Sequence, residues 1–191
     1  MGLIIEDGKG TGLTAGVNKE NQLLTRAITE SVEHHVNANE GEAYSIPISV
    51  SATAADDCIF YLKNTSDEPI TIEGVTVGAH TTTAHDSVYF KLGGSGTRNA
   101  ATDVTPVNLN TGSGNKASGD FETGVDLDGG AATFTSATEF ERLHIDGTGK
   151  DSSNFNFSQD LIIPKNGVFT IWIGGSGTGT YLMTVNFNYH E

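Results

Sequence analysis

The chain has 191 residues, enough for one ordinary domain with an arm, and its single cysteine, Cys58, leaves no internal disulfide to staple it. Its 24 acidic against 10 basic residues give a formal net charge of −14, and no cluster of lysine or arginine interrupts that excess. Such a surface repels phosphate backbones and anionic lipid, so neither nucleic acid nor membrane is an expected partner.

Read in chain order, Met1-Gly2-Leu3-Ile4-Ile5 is too short for a secretory signal core and runs straight into Glu6-Asp7-Gly8. Glu6 stands where a myristoylation signal wants serine or threonine. No segment has the texture of a membrane span, and the expectation is a soluble protein made in a cytoplasm. Residues 2–16 are glycine-rich and read as a mobile arm. Leu24, Ile28, Val32 and Val36 then recur at every fourth position, which suits one stripe of a helix over residues 20–35. Thr25, Thr29 and Val32 are β-branched and suit extended chain, the favoured of the two. Asn37-Ala38-Asn39-Glu40-Gly41 is turn chemistry. The texture changes at Gly41, which divides an arm, residues 1–40, from a domain, residues 41–191.

Beyond Gly41, alternation governs. In Ala43-Tyr44-Ser45-Ile46-Pro47-Ile48-Ser49-Val50, the residues Tyr44, Ile46, Ile48 and Val50 share one face, as a half-buried strand requires. Pro47 cannot donate to a ladder, which places this strand at an open edge. Further strands are expected over residues 59–63, 70–77, 87–92, 140–145, 159–163, 168–173 and 181–189. The apolar run Cys58-Ile59-Phe60-Tyr61-Leu62 buries its cysteine as a small hydrophobe. Val88-Tyr89-Phe90-Lys91-Leu92 and Phe169-Thr170-Ile171-Trp172-Ile173 both run into Gly-Gly-Ser-Gly-Thr, a weak echo of similar strand ends. Residues 93–138 are the most turn-rich stretch, an excursion with hairpins expected around residues 104–109 and 125–134, and excursions of this kind commonly contact partners. Many short strands punctuated by 24 glycines predict an all-β, jelly-roll-like β-sandwich behind an N-terminal arm.

The chemistry-bearing residues do not assemble into a motif. His34 and His35 are adjacent and face opposite sides of a strand, while His80 and His85-Asp86 flank a threonine-rich turn. No cysteine and histidine spacing supplies the three or four ligands of a transition-metal site. Asp126-Leu127-Asp128-Gly129-Gly130 is similar to the start of a calcium loop, but it lacks the sixth-position glycine and the twelfth-position glutamate. A structural calcium in an acidic turn stays open on this reading. Gly93-Gly94-Ser95-Gly96-Thr97 fails as a nucleophile elbow at its last position, and Gly112-Ser113-Gly114-Asn115-Lys116-Ala117 has the wrong spacing for a phosphate loop. No pair of carboxylates is singled out for glycoside chemistry. The expectation is a protein with no catalytic residues, no cofactor and no metal.

Residues 17–46, Val-Asn-Lys-Glu-Asn-Gln-Leu-Leu-Thr-Arg-Ala-Ile-Thr-Glu-Ser-Val-Glu-His-His-Val-Asn-Ala-Asn-Glu-Gly-Glu-Ala-Tyr-Ser-Ile, carry a resemblance. So do Tyr61-Leu62-Lys63-Asn64, Thr105-Pro106-Val107-Asn108-Leu109-Asn110-Thr111-Gly112-Ser113 and Leu161-Ile162-Ile163-Pro164-Lys165-Asn166-Gly167. Together they resemble small virion structural proteins of tailed phages, of the head decoration type. The resemblance implies a non-enzymatic protein on the capsid surface of a virion, assembled in the host cytoplasm, that stabilises the head. Its implied partners are the major capsid protein and further copies of itself, as a homotrimer. An arm that docks on a neighbour needs apolar residues in a polar context. Leu23, Leu24, Ile28, Val32 and Val36, with Arg26, are the expected contacts. The alternative is a carbohydrate-binding or tail-associated adhesin sandwich. That reading needs exposed aromatic residues, and Trp172 sits in an alternating strand where burial is expected.

Overall fold

The computed structural model describes residues 16–17, 23–24, 35–52, 56–130, 132–135, 137–174 and 178–189. The chain divides into two units, residues 1–31 and residues 32–191. In the first, β1 (Gly16–Val17) pairs antiparallel with β2 (Leu23–Leu24), Gly16 opposite Leu24 and Val17 opposite Leu23. The choice between helix and strand over residues 20–35 otherwise falls almost wholly outside the described residues, as does most of the glycine-rich leader.

The second unit opens on a π-helical turn, Val36–Glu40. Gly41 ends it in the left-handed region at φ +68°, which a side chain resists, and its N–H donates to the Val36 carbonyl at 2.7 Å. The turn expected here is present, and it belongs to the sandwich, because Val36 is fully buried. The division of the chain thus falls before Val32, ahead of the change in texture at Gly41.

Among the described residues, nine strands follow: β3 (Ala43–Ala52), β4 (Cys58–Asn64), β5 (Ile70–Leu92), β6 (Thr102–Asp103), β7 (Val107–Asn108), β8 (Gly119–Thr123), β9 (Thr138–Ile163), β10 (Val168–Gly174) and β11 (Gly179–Tyr189). β11 runs along residues 70–81 of β5, and β10 along residues 87–92. One sheet therefore reads β9, β5, β11, β3, β7, and the other β9, β5, β10, β4, β8, β6, all antiparallel. β5 and β9 pass from one sheet to the other. Their register slips where they do, between Gly78 and His80 and again between His80 and His85. Such slips carry a strand round a sandwich corner without ending it. The two sheets pack face to face as an all-β sandwich.

This is where the strand count departs from the sequence reading. Residues 70–77 and 87–92 are one strand of 23 residues, and residues 140–145 and 159–163 lie in one of 26 residues. Thr81-Thr82-Thr83-Ala84-His85-Asp86 and Gly147-Thr148-Gly149 have the composition of turns. At a corner, with a neighbouring strand still paired, the same residues stay extended.

The core lies between the sheets and follows the predicted alternation. Tyr44, Ile46, Ile48 and Val50 of β3 face Tyr181, Met183, Val185 and Phe187 of β11, and both sets are buried. Tyr44 stacks on Phe187 with ring centroids 5.4 Å apart, and Phe187 on Phe121 at the same separation. Each large side chain fully buried here is worth roughly 1.5–3 kcal/mol, which accounts for a fold without a staple. β7 flanks β3 only at Tyr44 and Ser45, so Pro47 sits where β3 has no described neighbour on that side.

The excursion does not form its two expected hairpins. Its pieces extend the sheets instead: β7 adds to β3, β8 adds to β4 with Phe121 opposite Leu62, and β6 adds to β8. Residues 125–134 fold over the outer face of the second sheet, where the Leu127 N–H donates to the Cys58 carbonyl at 2.8 Å. Edge strands left bare invite pairing with other chains, and covering them satisfies backbone groups that a free hairpin would leave exposed. β10 is buried along its whole length for the same reason, since it is covered on both faces.

Candidate functional site

Of the six residues expected to form the arm contact, Leu23 and Leu24 lie in β2. Arg26, Ile28 and Val32 lie outside the described residues. Val36 is fully buried in the second unit, so its apolar surface is already used inside the sandwich.

A clamp surrounds the point where residues 37–41 enter the sandwich. Asn110 Nδ2 donates to the Asn37 carbonyl at 2.8 Å, Asn115 Nδ2 to the Glu40 carbonyl at 2.9 Å, and Asn108 Nδ2 to the Gly41 carbonyl at 2.8 Å. Ser113 Oγ donates to the Gly41 carbonyl as well, at 3.2 Å. Two of these asparagines also close their own turns. The Asn110 N–H donates to Asn108 Oδ1 at 2.8 Å, and the Gly112 N–H to Asn110 Oδ1 at 3.0 Å. Asparagine suits both tasks because its amide donates and accepts at once. The Leu109 N–H donates to the Ala43 carbonyl at 2.9 Å, so the backbone between the asparagines is tied to β3. On this fixed segment Val107 and Leu109 are 54% and 48% exposed. Isolated exposed apolar residues are ordinary, but two flanking Asn108 on a clamped loop form a small rigid apolar contact. Sequence reasoning placed docking on the arm and passed over this pair. Its signal was the spacing of apolar residues between asparagines in Val107-Asn108-Leu109-Asn110.

The outer face of the second sheet holds a second cluster, in which Cys58, Tyr61, Leu127, Val168 and Trp172 pack with Tyr89 and Phe134. Three cations cap its rings: Arg98 lies 4.1 Å from the Tyr61 centroid, Lys91 3.7 Å from that of Trp172, and Arg142 4.1 Å from that of Tyr89. Arg98 also grips Glu122, with Nε donating to Oε2 at 2.6 Å. Trp172 is only 6% exposed, and its Nε1 donates to Thr170 Oγ1 at 2.9 Å. It offers no open platform for a sugar ring.

Beside this cluster, Asp57, Asp126 and Asp128 bring carboxylate oxygens to within 4.8 Å of one another, the group of possible metal ligands found among the described residues. Two of the three belong to the turn that resembles the start of a calcium loop. Oxygen donors alone suit calcium or magnesium rather than zinc. One oxygen is already committed, since Asp128 Oδ1 accepts the Cys58 N–H at 2.7 Å. Burial holds the Asp128 carboxyl above the usual carboxylate range, and the charge of Asp126 adds to the shift. The Asp126 carboxylate folds back over Gly129, where a Cβ would overlap it. The turn thus depends on its carboxylates and its glycine to lay Leu127 across the sheet.

Three potential nucleophiles, Cys58, Thr123 and Thr170, are engaged in structure. Burial pushes the Cys58 thiol well up, and Sγ approaches the Phe60 carbonyl at 3.5 Å. Thr123 Oγ1 donates to the Ile59 carbonyl at 3.0 Å, and Thr170 Oγ1 to the Lys91 carbonyl at 3.3 Å. Asp86, 3% exposed at the sandwich corner, accepts the Tyr181 hydroxyl and the Ser87 N–H. Of the paired histidines, His34 lies outside the described residues, and His35 approaches Glu40 at 3.5 Å. No family model matches the chain, and no curated protein or solved structure does either.

Proposed function

We propose that this is a non-enzymatic structural protein of a tailed-phage virion, which decorates and stabilises the head by docking on the major capsid protein. The observation that carries the reading is the clamped loop that presents Val107 and Leu109 where the N-terminal segment enters the sandwich. A contact held this way loses little conformational entropy on docking, so most of its burial appears as affinity. Both side chains are about half covered already, and completing their burial is worth roughly 1 kcal/mol each. The net charge of −14 would speed association with a basic capsid surface. The sugar-binding alternative finds no support at Trp172, which is 6% exposed.

The test is co-sedimentation with capsids that lack the protein. The double variant Val107→Asp, Leu109→Asp changes exposed positions only, so circular dichroism should show an unchanged fold. Its binding should fall at least tenfold, about 1.4 kcal/mol. Full binding by the double variant removes the loop from the interface, and a wild-type chain missing from purified particles overturns the assignment itself.

A further inference from the structure

Among the described side chains, the middle of the first sheet's outer face carries no carboxylate, lysine or arginine, on a protein whose net charge is −14. Its central row runs Ser152, Gly78, Leu182 and Ser49 across β9, β5, β11 and β3. The rows on either side hold only serine, threonine, asparagine and proline, with His80 at one corner. Glu73, at the end of the face, is bonded by Asn188 Nδ2 at 2.7 Å. The acidic residues of the excursion, Asp103, Asp120, Glu122, Asp126 and Asp128, belong to the other sheet and its cover. Two identical acidic copies repel through most of their surface, and this face lets them approach without that cost.

Its shape points the same way. Leu182 is 57% exposed, a large apolar side chain amid small polar ones. Its cross-strand neighbour is Gly78, and beside them lies a depression of about 440 Å³ bordered by Pro47, Ser152 and Thr184. A Cβ built on Gly78 meets nothing nearer than 3.9 Å, so the hollow is open above the backbone. Knob and hollow lie side by side across two paired strands. A twofold axis running along the strands between β5 and β11 exchanges them, seating each Leu182 in the hollow of the other copy. The same axis keeps the strands of the two sheets aligned, as packed sheets prefer. Thr76 Oγ1 donates to Asn154 Oδ1 at 3.2 Å, and Ser51 and Thr180 share a hydroxyl contact at 3.5 Å, which hold parts of the surface in place before contact.

We propose that this face is a contact between two copies of the chain, packed sheet on sheet about Leu182 and Gly78. The inference rests on no part of the head-decoration reading, and it yields pairs where that reading expects threefold assembly. Four strands about 4.8 Å apart and six residue steps of about 3.3 Å give a footprint of about 400 Å² per copy. That is about half of a standard interface side, so the pair is weak, with dissociation in the range of about 10 µM to 1 mM.

Sedimentation equilibrium of the full chain across that range tests it. The average mass should climb from one chain towards two and no further. Leu182→Asp sets like charges against each other at the centre of the contact and should raise the dissociation constant at least tenfold, about 1.4 kcal/mol. Ser49→Asp, exposed on the same row, should act in the same direction. Val125→Asp, 43% exposed in the cover of the second sheet, should leave the equilibrium unchanged. Thermal melts establish that each variant is folded. A wild type that stays monomeric at the highest concentration overturns the proposal. So does a folded Leu182→Asp chain that associates as well as wild type, or a mass that grows beyond two chains.

Discussion

Removing residues 1–31 and removing residues 1–41 should have very different effects, although they differ by ten residues. The shorter deletion takes away one of the two units and leaves Val36 and the turn it anchors. The longer one removes Val36, whose full burial is worth roughly 1.5–3 kcal/mol. It also removes the carbonyls of Asn37, Glu40 and Gly41, which accept from Asn110, Asn115, Asn108 and Ser113. Each such bond contributes about 0.5–1.5 kcal/mol, and the freed amides recover part of that from water. A net loss of roughly 3–6 kcal/mol is expected, which lowers Tm by about 6–24 °C in a domain of this size. The first truncation should melt within about 3 °C of the full chain. Thermal melts followed by circular dichroism compare the three proteins directly. Equal melting temperatures for the two truncations would refute the clamp as a stabilising element. A collapse of the shorter truncation would show that the sandwich depends on its first unit.

Arg98→Ala should lower stability by about 2–4 kcal/mol, because it strands a mostly buried Glu122 carboxylate and uncovers Tyr61. Arg98→Lys should recover less than half of that, since lysine lacks the planar fork, and urea midpoints that coincide for all three proteins would count against it. Asp128→Asn keeps an acceptor for the Cys58 N–H and removes a carboxylate whose pKa burial raises. A raised folded pKa means that ionisation weakens the fold. The penalty is absent below the unfolded value of about 3.9, grows as pH rises through the folded value, and is constant above it. The variant should therefore match wild type near pH 3 and be at least as stable near pH 7 in thermal melts, about where the penalty is complete. A variant less stable at neutral pH contradicts this sign. Chelation with EDTA should move Tm by less than about 2 °C, and a larger fall would identify a cation held by Asp57, Asp126 and Asp128.

Period-two patterning made much of the sandwich legible. Tyr44, Ile46, Ile48 and Val50 are buried while Pro47 and Ser49 are exposed, as alternation requires. Corners and covers were not legible, for a physical reason. Thr81-Thr82-Thr83-Ala84-His85-Asp86 has the local chemistry of a turn, and only pairing with a distant strand keeps it extended. Residues 125–134 likewise have weak local preferences, and their fold is fixed by a non-local bond, Leu127 N–H to the Cys58 carbonyl. The candidate docking loop hid behind the same limit. Val107 and Leu109 gain meaning only when Asn108 and Asn110 are seen to reach residues 37–41. The acidic turn was visible as Asp126-Leu127-Asp128, but its third carboxylate, Asp57, comes from the approach to another strand.

The two outer faces of the sandwich are treated in opposite ways, and that asymmetry constrains where partners can bind. The second sheet lies under the excursion, whose Leu127 and Phe134 pack on it and whose Arg98 joins Lys91 and Arg142 over its rings. A partner there would have to displace aromatic burial and cation contacts already made. Among its described side chains the first sheet has no aromatic residue, lysine or arginine in the rows about Leu182, and its hydroxyl and amide side chains bond to one another across strands. A face of small polar side chains about one apolar knob loses little by being covered and gains most from a surface of the same kind. The Val107 and Leu109 loop lies on the edge of this same sheet, with Val107 opposite Ser45 at the Tyr44 end of β3, while Leu182 pairs with Ser49 further along that strand. Substitutions at one therefore leave the residues of the other in place. The two contacts are centred four residues apart along β3, on Ser45 and Ser49.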